Sequence, residues 1–446
     1  MPLSNDLAVN QLLTDARQLA RNRQPDAAAP VFEEILTLRP GHTEASLFIA
    51  EYALHRRDVA KAVLLLEQAL RFNQGVAPLH QKLAAALERL EAQPDAEQQL
   101  RAIVTALPEA YNCELFLGRL FEQRGDQNAA ITAYFRAIKN AQLRGFWLNR
   151  DTTAPWLQAR VARAMKVAHE GRRDWLYRLL EPMVARHGRD ELTRVFECVA
   201  MFCGEKRLEY GDPRQKPSFL YFPGIPSQPL ITRELLPFAE SLEQQGDALR
   251  SELWSILENN DDVVPFHKYS TPEQAAYLFS GPPWQAYFFY RNGEAFPEHH
   301  LRCPHTSKTL TQLPMAHIRD HAPETCFSVL RPGTHILPHR GVTNTRSVLH
   351  LPLIVPEQCA LNITGVGTFS WQQDRCFAFD DTYEHEAWNR SELTRVILLT
   401  DIWNPHLREA ERWALKDLIE QIGDFNRATE ATPPAPAMAG SPPEKR

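Results

Sequence analysis

Small and large apolar residues recur every 34 positions along the first 140 residues. Ala16, Ala50, Ala84 and Gly118 form one column, and Ala28, Ala62, Ala96 and Ala130 a second. Phe32, Leu66, Leu100 and Tyr134 form a third, and Ile35, Ala69, Ile103 and Ala137 a fourth. Pro40 and Pro108 stand two periods apart. Within one period the small residues let two helices approach, and the large residue fills the gap beside them. The columns therefore predict helix pairs stacked into a solenoid. From 143 to 215 the pattern stays helical, as in "WLYRLLEPMVARH", and predicts a cap or extension of that array. "YGDPRQKPSFLYFPGIPSQP" (210–229) is rich in proline and aromatic residues and reads as an ordered linker; 231–257 returns to the helical period. From 284 the candidate strands are "WQAYFFY", "CFSVLR", "SVLHLPLIV", "ALNIT", "GTFSW", "RCFAF", "HEAWN" and "TRVILLTDIW", with turn residues between them. So many short strands at close intervals predict an all-β sandwich or barrel. "NPHLREAERWALKDLIEQI" is helical again, and the Pro/Ala-rich end, "ATEATPPAPAMAGSPPEKR", predicts disorder. The expected domains are residues 1–142, 143–215, 216–425 and a tail over 426–446.

The 34-residue unit resembles the tetratricopeptide repeat, whose solenoids present a groove to a peptide or a partner protein. A net charge of −6 argues against nucleic acid as a partner. No run of 18 apolar residues occurs, so no membrane span is expected. The first residues, "MPLSNDLAVNQLLTDAR", lack the basic stretch and apolar core of a secretory signal. Seven cysteines are scattered without a CxxC pair, which fits reduced thiols and a cytoplasmic location.

Candidate chemistry lies in the β region. "RPGTHILPHRGVTNTR" (331–346) puts His339 two residues before Gly341, the place where many iron oxygenases carry an acidic ligand. His385 follows 46 residues later, in "FAFDDTYEHEAWN". Two strands of a β-roll can point both imidazoles into its mouth, and neutral imidazole suits Fe(II) as well as Zn(II). Catalytic zinc sites usually have a third protein ligand, which this pair lacks. Among sixteen histidines such a pair alone is an ordinary occurrence.

The surrounding words carry more. "FSVLRPGTHILPHRGVTNTRSVLHLPL", "FAFDDTYEHEAWN" and "TRVILLTDIWNP", with "FLYFPGIPSQP" and "GPPWQAYFFYRNG" ahead of them, resemble the aspartyl/asparaginyl β-hydroxylase family over roughly residues 218–415. The resemblance implies a multidomain α + β chain: an N-terminal all-α repeat solenoid, then an oxygenase domain with the double-stranded β-helix (jelly-roll, cupin-like) fold. That family holds iron by two histidines and has glycine at the third place. The resemblance thus implies His339 and His385 as the metal ligands, with no catalytic side chain beyond the metal centre, and Fe(II), 2-oxoglutarate and O2 as cofactor and cosubstrates. It implies that Arg395 clamps the far carboxylate of 2-oxoglutarate. A guanidinium matches a carboxylate as a bidentate fork, and a charge on a strand as apolar as "RVILLTDIW" needs a partner. His350 and Ser328 are implied to line the cosubstrate pocket, although a lone histidine in "VLHLPL" also reads as a satisfied core residue. Arg346, Asn344 and Tyr290 are implied as substrate contacts, with bracing of the loop as the alternative for Arg346. Val348 departs from the pattern, since the animal protein hydroxylases carry a second arginine there. Leu310 departs too, opposite Cys303, where secreted-pathway members have a disulfide. Asp380 and Asp381 read as an Asp-stabilised turn rather than as metal ligands.

The implied function is hydroxylation of a C–H bond, at the β-carbon of an Asp/Asn-type residue in a peptide or protein recruited by the repeats. Three alternatives stand beside it. One is a lipid or small-molecule hydroxylase of the same family. Another is a halogenase using the open metal position for chloride, and the third is a non-catalytic repeat scaffold with a degenerate oxygenase domain.

Overall fold

The computed structural model describes residues 2–73, 75–259, 262–268, 274 and 276–432. The chain divides into two compact units, residues 1–174 with 425–446, and residues 175–424.

In the first unit each 34-residue period becomes two helices: α1 (Pro2–Arg21) and α2 (Pro25–Leu38), α3 (Thr43–His55) and α4 (Val59–Phe72), α5 (Ala77–Glu91) and α6 (Ala96–Ala106), α7 (Tyr111–Arg124) and α8 (Gln127–Leu143). Asp58 and Asp126, two periods apart, cap α4 and α8 by accepting from the backbone N–H groups of Lys61 (3.0 Å) and Ala129 (3.1 Å). The four columns are the core. All their residues are buried except Ala84, which is half-buried. Gly118 shows why its column must be small, because a Cβ there would strike the Tyr134 ring. Trp147, Leu157, Val161, Ala164 and Ala168 continue this core past the repeats. The expected tail begins later than its pattern suggests. Residues 426–428 finish a helix, Glu409–Ala428. Thr429 then donates to the Phe425 carbonyl (2.8 Å) and accepts from Lys139 (2.8 Å). Residues 433–446, where disorder is expected, lie outside the described residues.

In the second unit the strands are β1 (Leu230–Ile231), β2 (Val264–Pro265), β3 (Phe279–Ser280), β4 (Gln285–Arg291), β5 (Glu294–Ala295), β6 (Thr325–Leu330), β7 (His335–His339), β8 (Arg346–Ile354), β9 (Cys359–Ile363), β10 (Gly367–Phe369), β11 (Phe377–Phe379), β12 (His385–Asn389) and β13 (Arg395–Trp403). They form two antiparallel sheets. The larger has the order β1-β11-β8-β13-β6-β4-β2, with β5 on β4; the smaller runs β10-β9-β12-β7-β3. Two expectations need correction. The helical stretch over 231–257 is broken into a short 3-10 turn and the helices Ala239–Glu243 and Gly246–Asn259, with Pro237 at the first interruption. The stretch 210–229 is no linker. Leu220 and Phe222 are buried, and the N–H groups of Phe219 and Leu220 both donate to the Val342 carbonyl (3.0 Å each), so the segment is part of the sheet unit.

Alternation sorts the large sheet into two faces. Val396 and Leu398 on β13, Leu349, Leu351 and Leu353 on β8, and Phe327 and Val329 on β6 join a core with Leu249, Leu253 and Leu310 of the neighbouring helices. The residues of opposite parity, among them Ile397, Leu399, Val348 and Phe288, pack with Ile336, Leu361, Ile363 and Ala387 of the small sheet. The layer between the sheets therefore receives every second residue of β13, β8 and β6. No described helix is long and apolar enough to cross a membrane.

Candidate active site

The same parity that puts Ile397 and Leu399 between the sheets also puts Arg395 and Asp401 there from β13, Arg346, Val348 and His350 from β8, and Ser328 from β6. All of them line one cavity of about 400 Å³. The small sheet closes it with His385 and Ala387 of β12 and Ile336 and His339 of β7. Ile336 and His339 are three apart, which strict alternation would send to opposite faces. A bulge resolves this: Ala387 pairs with Ile336 but His385 pairs with His339, so β7 takes up an extra residue around Leu337 and Pro338. Proline has no N–H for a ladder and belongs at such an irregularity.

His339 and His385 are direct cross-strand partners, with ring centroids 4.2 Å apart. Each Nδ1 lies against a backbone oxygen two residues back, Leu337 O at 2.8 Å for His339 and Tyr383 O at 2.9 Å for His385. A carbonyl only accepts, so each Nδ1 carries the proton and each Nε2 keeps its lone pair. Burial lowers the pKa of both rings, that of His385 to about 3 with His339 adding repulsion. Both rings are thus held as neutral donors of the kind that a divalent metal takes. Among the described residues no third histidine, cysteine or carboxylate joins them in a metal-sized group. A side chain at position 341 has no room, because the Asp381 carboxylate occupies the space its Cβ would need.

Arg395 is fully buried. Its Nη1 donates to the carbonyl and hydroxyl oxygens of Ser328 at 3.1 and 3.3 Å, its Nε has no partner, and the Trp371 ring lies 4.9 Å away. It has no ion-pair partner among the described residues, and burial pushes its pKa down to about 9. Ser328 Oγ also accepts from Trp284 Nε1 at 2.9 Å. His350 accepts at Nδ1 from Trp371 Nε1 (3.2 Å), so its Nε2 bears the proton; burial, with Arg395 nearby, keeps the ring neutral. A buried cation flanked by neutral donors and lacking its anion fits a carboxylate ligand.

Comparison with known proteins places the chain in a family. Residues 243–405 match the family described as Aspartyl/Asparaginyl beta-hydroxylase, and residues 13–77 match the tetratricopeptide repeat. The chain is 30% identical over 232 residues to the ornithine lipid ester-linked acyl 2-hydroxylase of Rhizobium tropici, covering 51% of this chain and 75% of that protein. The chain belongs to the aspartyl/asparaginyl beta-hydroxylase family. Aspartate beta-hydroxylase domain-containing protein 2 of Mus musculus is also 30% identical, over 255 residues, which is 55% of this chain and 71% of that protein. Human aspartyl/asparaginyl beta-hydroxylase is 23% identical over 441 residues, 92% of this chain but 55% of its own length.

Two residues expected among the family's substrate contacts lie elsewhere. Asn344 does not line the cavity. Its side chain accepts from the Phe222 N–H (2.7 Å) and donates to the Phe222 carbonyl (2.9 Å), stitching 210–229 to the sheet unit. Tyr290 packs edge-on against His300 and His317, away from the cavity. Arg346 lines the cavity and is ion-paired with Asp401. Asp380 does stabilise its turn, accepting from the Thr382 N–H (3.0 Å) and hydroxyl (2.5 Å), but Asp381 does not. Its Oδ1 is buried without a partner, and burial raises its carboxyl pKa to about 7. Glu324, Asp401, Trp284 and Trp371 also line the cavity and were missed in the sequence. Counting by twos from Arg395 reaches Asp401, and that signal was available.

Proposed function

We propose that the second unit is an Fe(II)- and 2-oxoglutarate-dependent dioxygenase that hydroxylates a C–H bond, and that its two sheets form the double-stranded β-helix of that class. One observation carries the reading: two opposed neutral imidazoles line one cavity with a buried arginine that has no ion-pair partner among the described residues. His339 and His385 would hold the metal through Nε2, and their Nδ1 bonds to Leu337 and Tyr383 fix ring orientation beforehand. Arg395 would take the far carboxylate of 2-oxoglutarate, with Ser328 and His350 Nε2–H as the adjoining polar groups. When bound, iron with 2-oxoglutarate and O2 supplies the oxidising chemistry. The protein's part is to position a C–H bond and exclude water, and Trp284, Trp371 and Phe379 wall the cavity for that purpose. The substrate in this reading is an Asp/Asn-type side chain of a peptide or protein, which the repeats of the first unit would recruit. A lipid acyl substrate is the second reading. It is favoured by the name of the Rhizobium relative and by the apolar Val348 beside Arg346.

The test is turnover of 2-oxoglutarate to succinate with Fe(II), O2 and ascorbate, beside His385→Ala, with bound iron measured in both proteins. Slow turnover in the wild type that is lost with the iron in the variant is expected. Normal iron content in His385→Ala and His339→Ala would refute the ligand assignment. Absence of both turnover and 2-oxoglutarate binding in the wild type would refute the dioxygenase reading.

A further inference from the structure

The cavity has a second charged region besides Arg395. Glu324, Arg346, Asp381 and Asp401 all line it. Arg346 is committed to Asp401, whose Oδ2 also accepts the Glu324 N–H at 2.8 Å. One guanidinium thus stands among three carboxylates. Glu324 Oε1 accepts the Asn292 N–H at 2.9 Å, but its Oε2 is buried with no partner. Asp381, only 8% exposed, likewise leaves Oδ1 without one.

The other cations lining the cavity are spent elsewhere. Arg291 donates to the Phe266 carbonyl above the Phe288 ring. Arg340 donates to the backbone oxygens of Arg214 (2.6 Å) and Thr382 (3.3 Å) and pairs with Glu384. Asp320 at the rim pairs with Arg319. Val348, the next residue on Arg346's face, brings no charge. A buried carboxylate oxygen without a donor costs about 1–3 kcal/mol, and the cost disappears when a donor arrives. Ammonium and guanidinium groups bring three and five N–H donors and the missing positive charge.

We infer that the substrate presents a cationic group, an ammonium or guanidinium, to Glu324 and Asp381 while its C–H bond is held at the histidine pair. The inference rests on the oxygenase reading for the second half of that statement and on the unpartnered carboxylates for the first. A basic side chain of a peptide and an amino headgroup of a lipid share this chemistry.

The experiment uses the full chain and matched probes. One arm is a peptide series differing only at one residue, Lys, Arg, norleucine or Asp. The other is an ornithine-headgroup lipid beside a neutral-headgroup lipid of the same chains, in detergent micelles. Binding to the metal-free protein is followed by tryptophan fluorescence, since Trp284 and Trp371 line the cavity. Substrate-dependent succinate formation is followed separately with Fe(II), 2-oxoglutarate and O2. The expected result is a preference of about tenfold or more for the cationic member over its neutral match in one arm, which names the source. Glu324→Gln, and independently Asp381→Asn, should shrink that ratio towards one. Equal response to charged and neutral members, preference for Asp, or an unchanged ratio in both variants would overturn the inference. If turnover and 2-oxoglutarate binding are both absent but the fluorescence ratio holds, the oxygenase reading fails and the cation site stands.

Discussion

A structural arginine and a ligand-clamping arginine predict opposite signs when the charge is removed, and Arg395→Met separates them. Methionine keeps most of the apolar stem, but removes the charge and the guanidinium that lies over the Trp371 ring. In the unliganded protein Arg395 is a buried cation with hydrogen bonds to Ser328 and no counter-ion among the described residues. A fall from 12.5 to about 9 means that folding carries the charge at a disadvantage. For a base, that penalty is fully present below the folded value and fades as pH rises through it. At pH 7 it amounts to at most about 5 kcal/mol. Unliganded Arg395→Met should therefore be no less stable than the wild type and up to a few kcal/mol more so, the balance being the lost Ser328 bonds at about 1 kcal/mol each. The loss appears on adding ligand. Truncating one partner of a buried, hydrogen-bonded charge pair costs about 2–5 kcal/mol, or roughly 30-fold to several thousandfold in 2-oxoglutarate affinity. The assay is hydrogen exchange of the β13 amides, which reports the second unit alone, with Fe(II) and without O2, across a 2-oxoglutarate titration. The wild type should gain protection with ligand, and the variant should begin at equal or higher protection and gain little. An unliganded variant that is several kcal/mol less protected, with 2-oxoglutarate affinity unchanged, would show that Arg395 is structural and that the clamp lies elsewhere.

Two further outcomes follow from the packing. Gly341→Ala drives a Cβ into the Asp381 carboxylate, so it should lower the thermal stability of the second unit by about 1–3 kcal/mol, and adding Asp381→Ala should restore most of that loss; a neutral single variant would contradict the close approach. In the first unit Glu67 is buried among Asn112 and Cys113, and burial raises its carboxyl pKa to about 7. An acid whose folded value is raised holds its proton longer in the folded state, so the unit should lose about 3 kcal/mol as pH rises from about 4.5 to 7. Glu67→Gln, whose amide can donate to the unpartnered Asn112 Oδ1, should flatten that slope as read by exchange of the α4 amides; parallel profiles for the two proteins would refute it.

The repeats were legible because their signal is volume, and volume repeats. Gly118 against Tyr134 and Ala62 beside Leu66 are forced by helix packing whatever the surface does. The longer strands were legible for the same reason, since β8 and β13 are buried on both faces. The site was legible only in part. His385 and Arg395 sit on regular strands, but β7 escaped notice because "HILPH" contains a proline and a bulge, and the bulge alone turns His339 to the side of Ile336. Asn344 looked like a binding residue because a polar side chain in a motif shared with the family has two possible partners, a ligand or the backbone. Here the Phe222 main chain takes both its groups. Asp381 was assigned to a turn that its neighbour Asp380 completes alone. Such competition between adjacent polar groups is settled by tertiary contacts far apart in sequence, which no local pattern contains.

The unpartnered buried atoms of the second unit make the connection between these observations. Several are hydroxyls, of Tyr287, Thr334 and Ser347, and an unpaired hydroxyl is a modest cost. Among the described residues of that unit, the charged groups left with a bare buried atom are Glu324, Asp381, Arg395 and Arg412, and the first three line the same cavity. Leaving buried ionisable groups without partners is expensive, and a fold selected only for stability would put apolar residues in their place. The charged groups are instead kept, and kept apart. Arg395 sits beside Ser328, and Glu324 and Asp381 sit beside Arg346, which Asp401 already neutralises. That separation makes sense when each end waits for a different complement, an anion at Arg395 and a cation at the carboxylates.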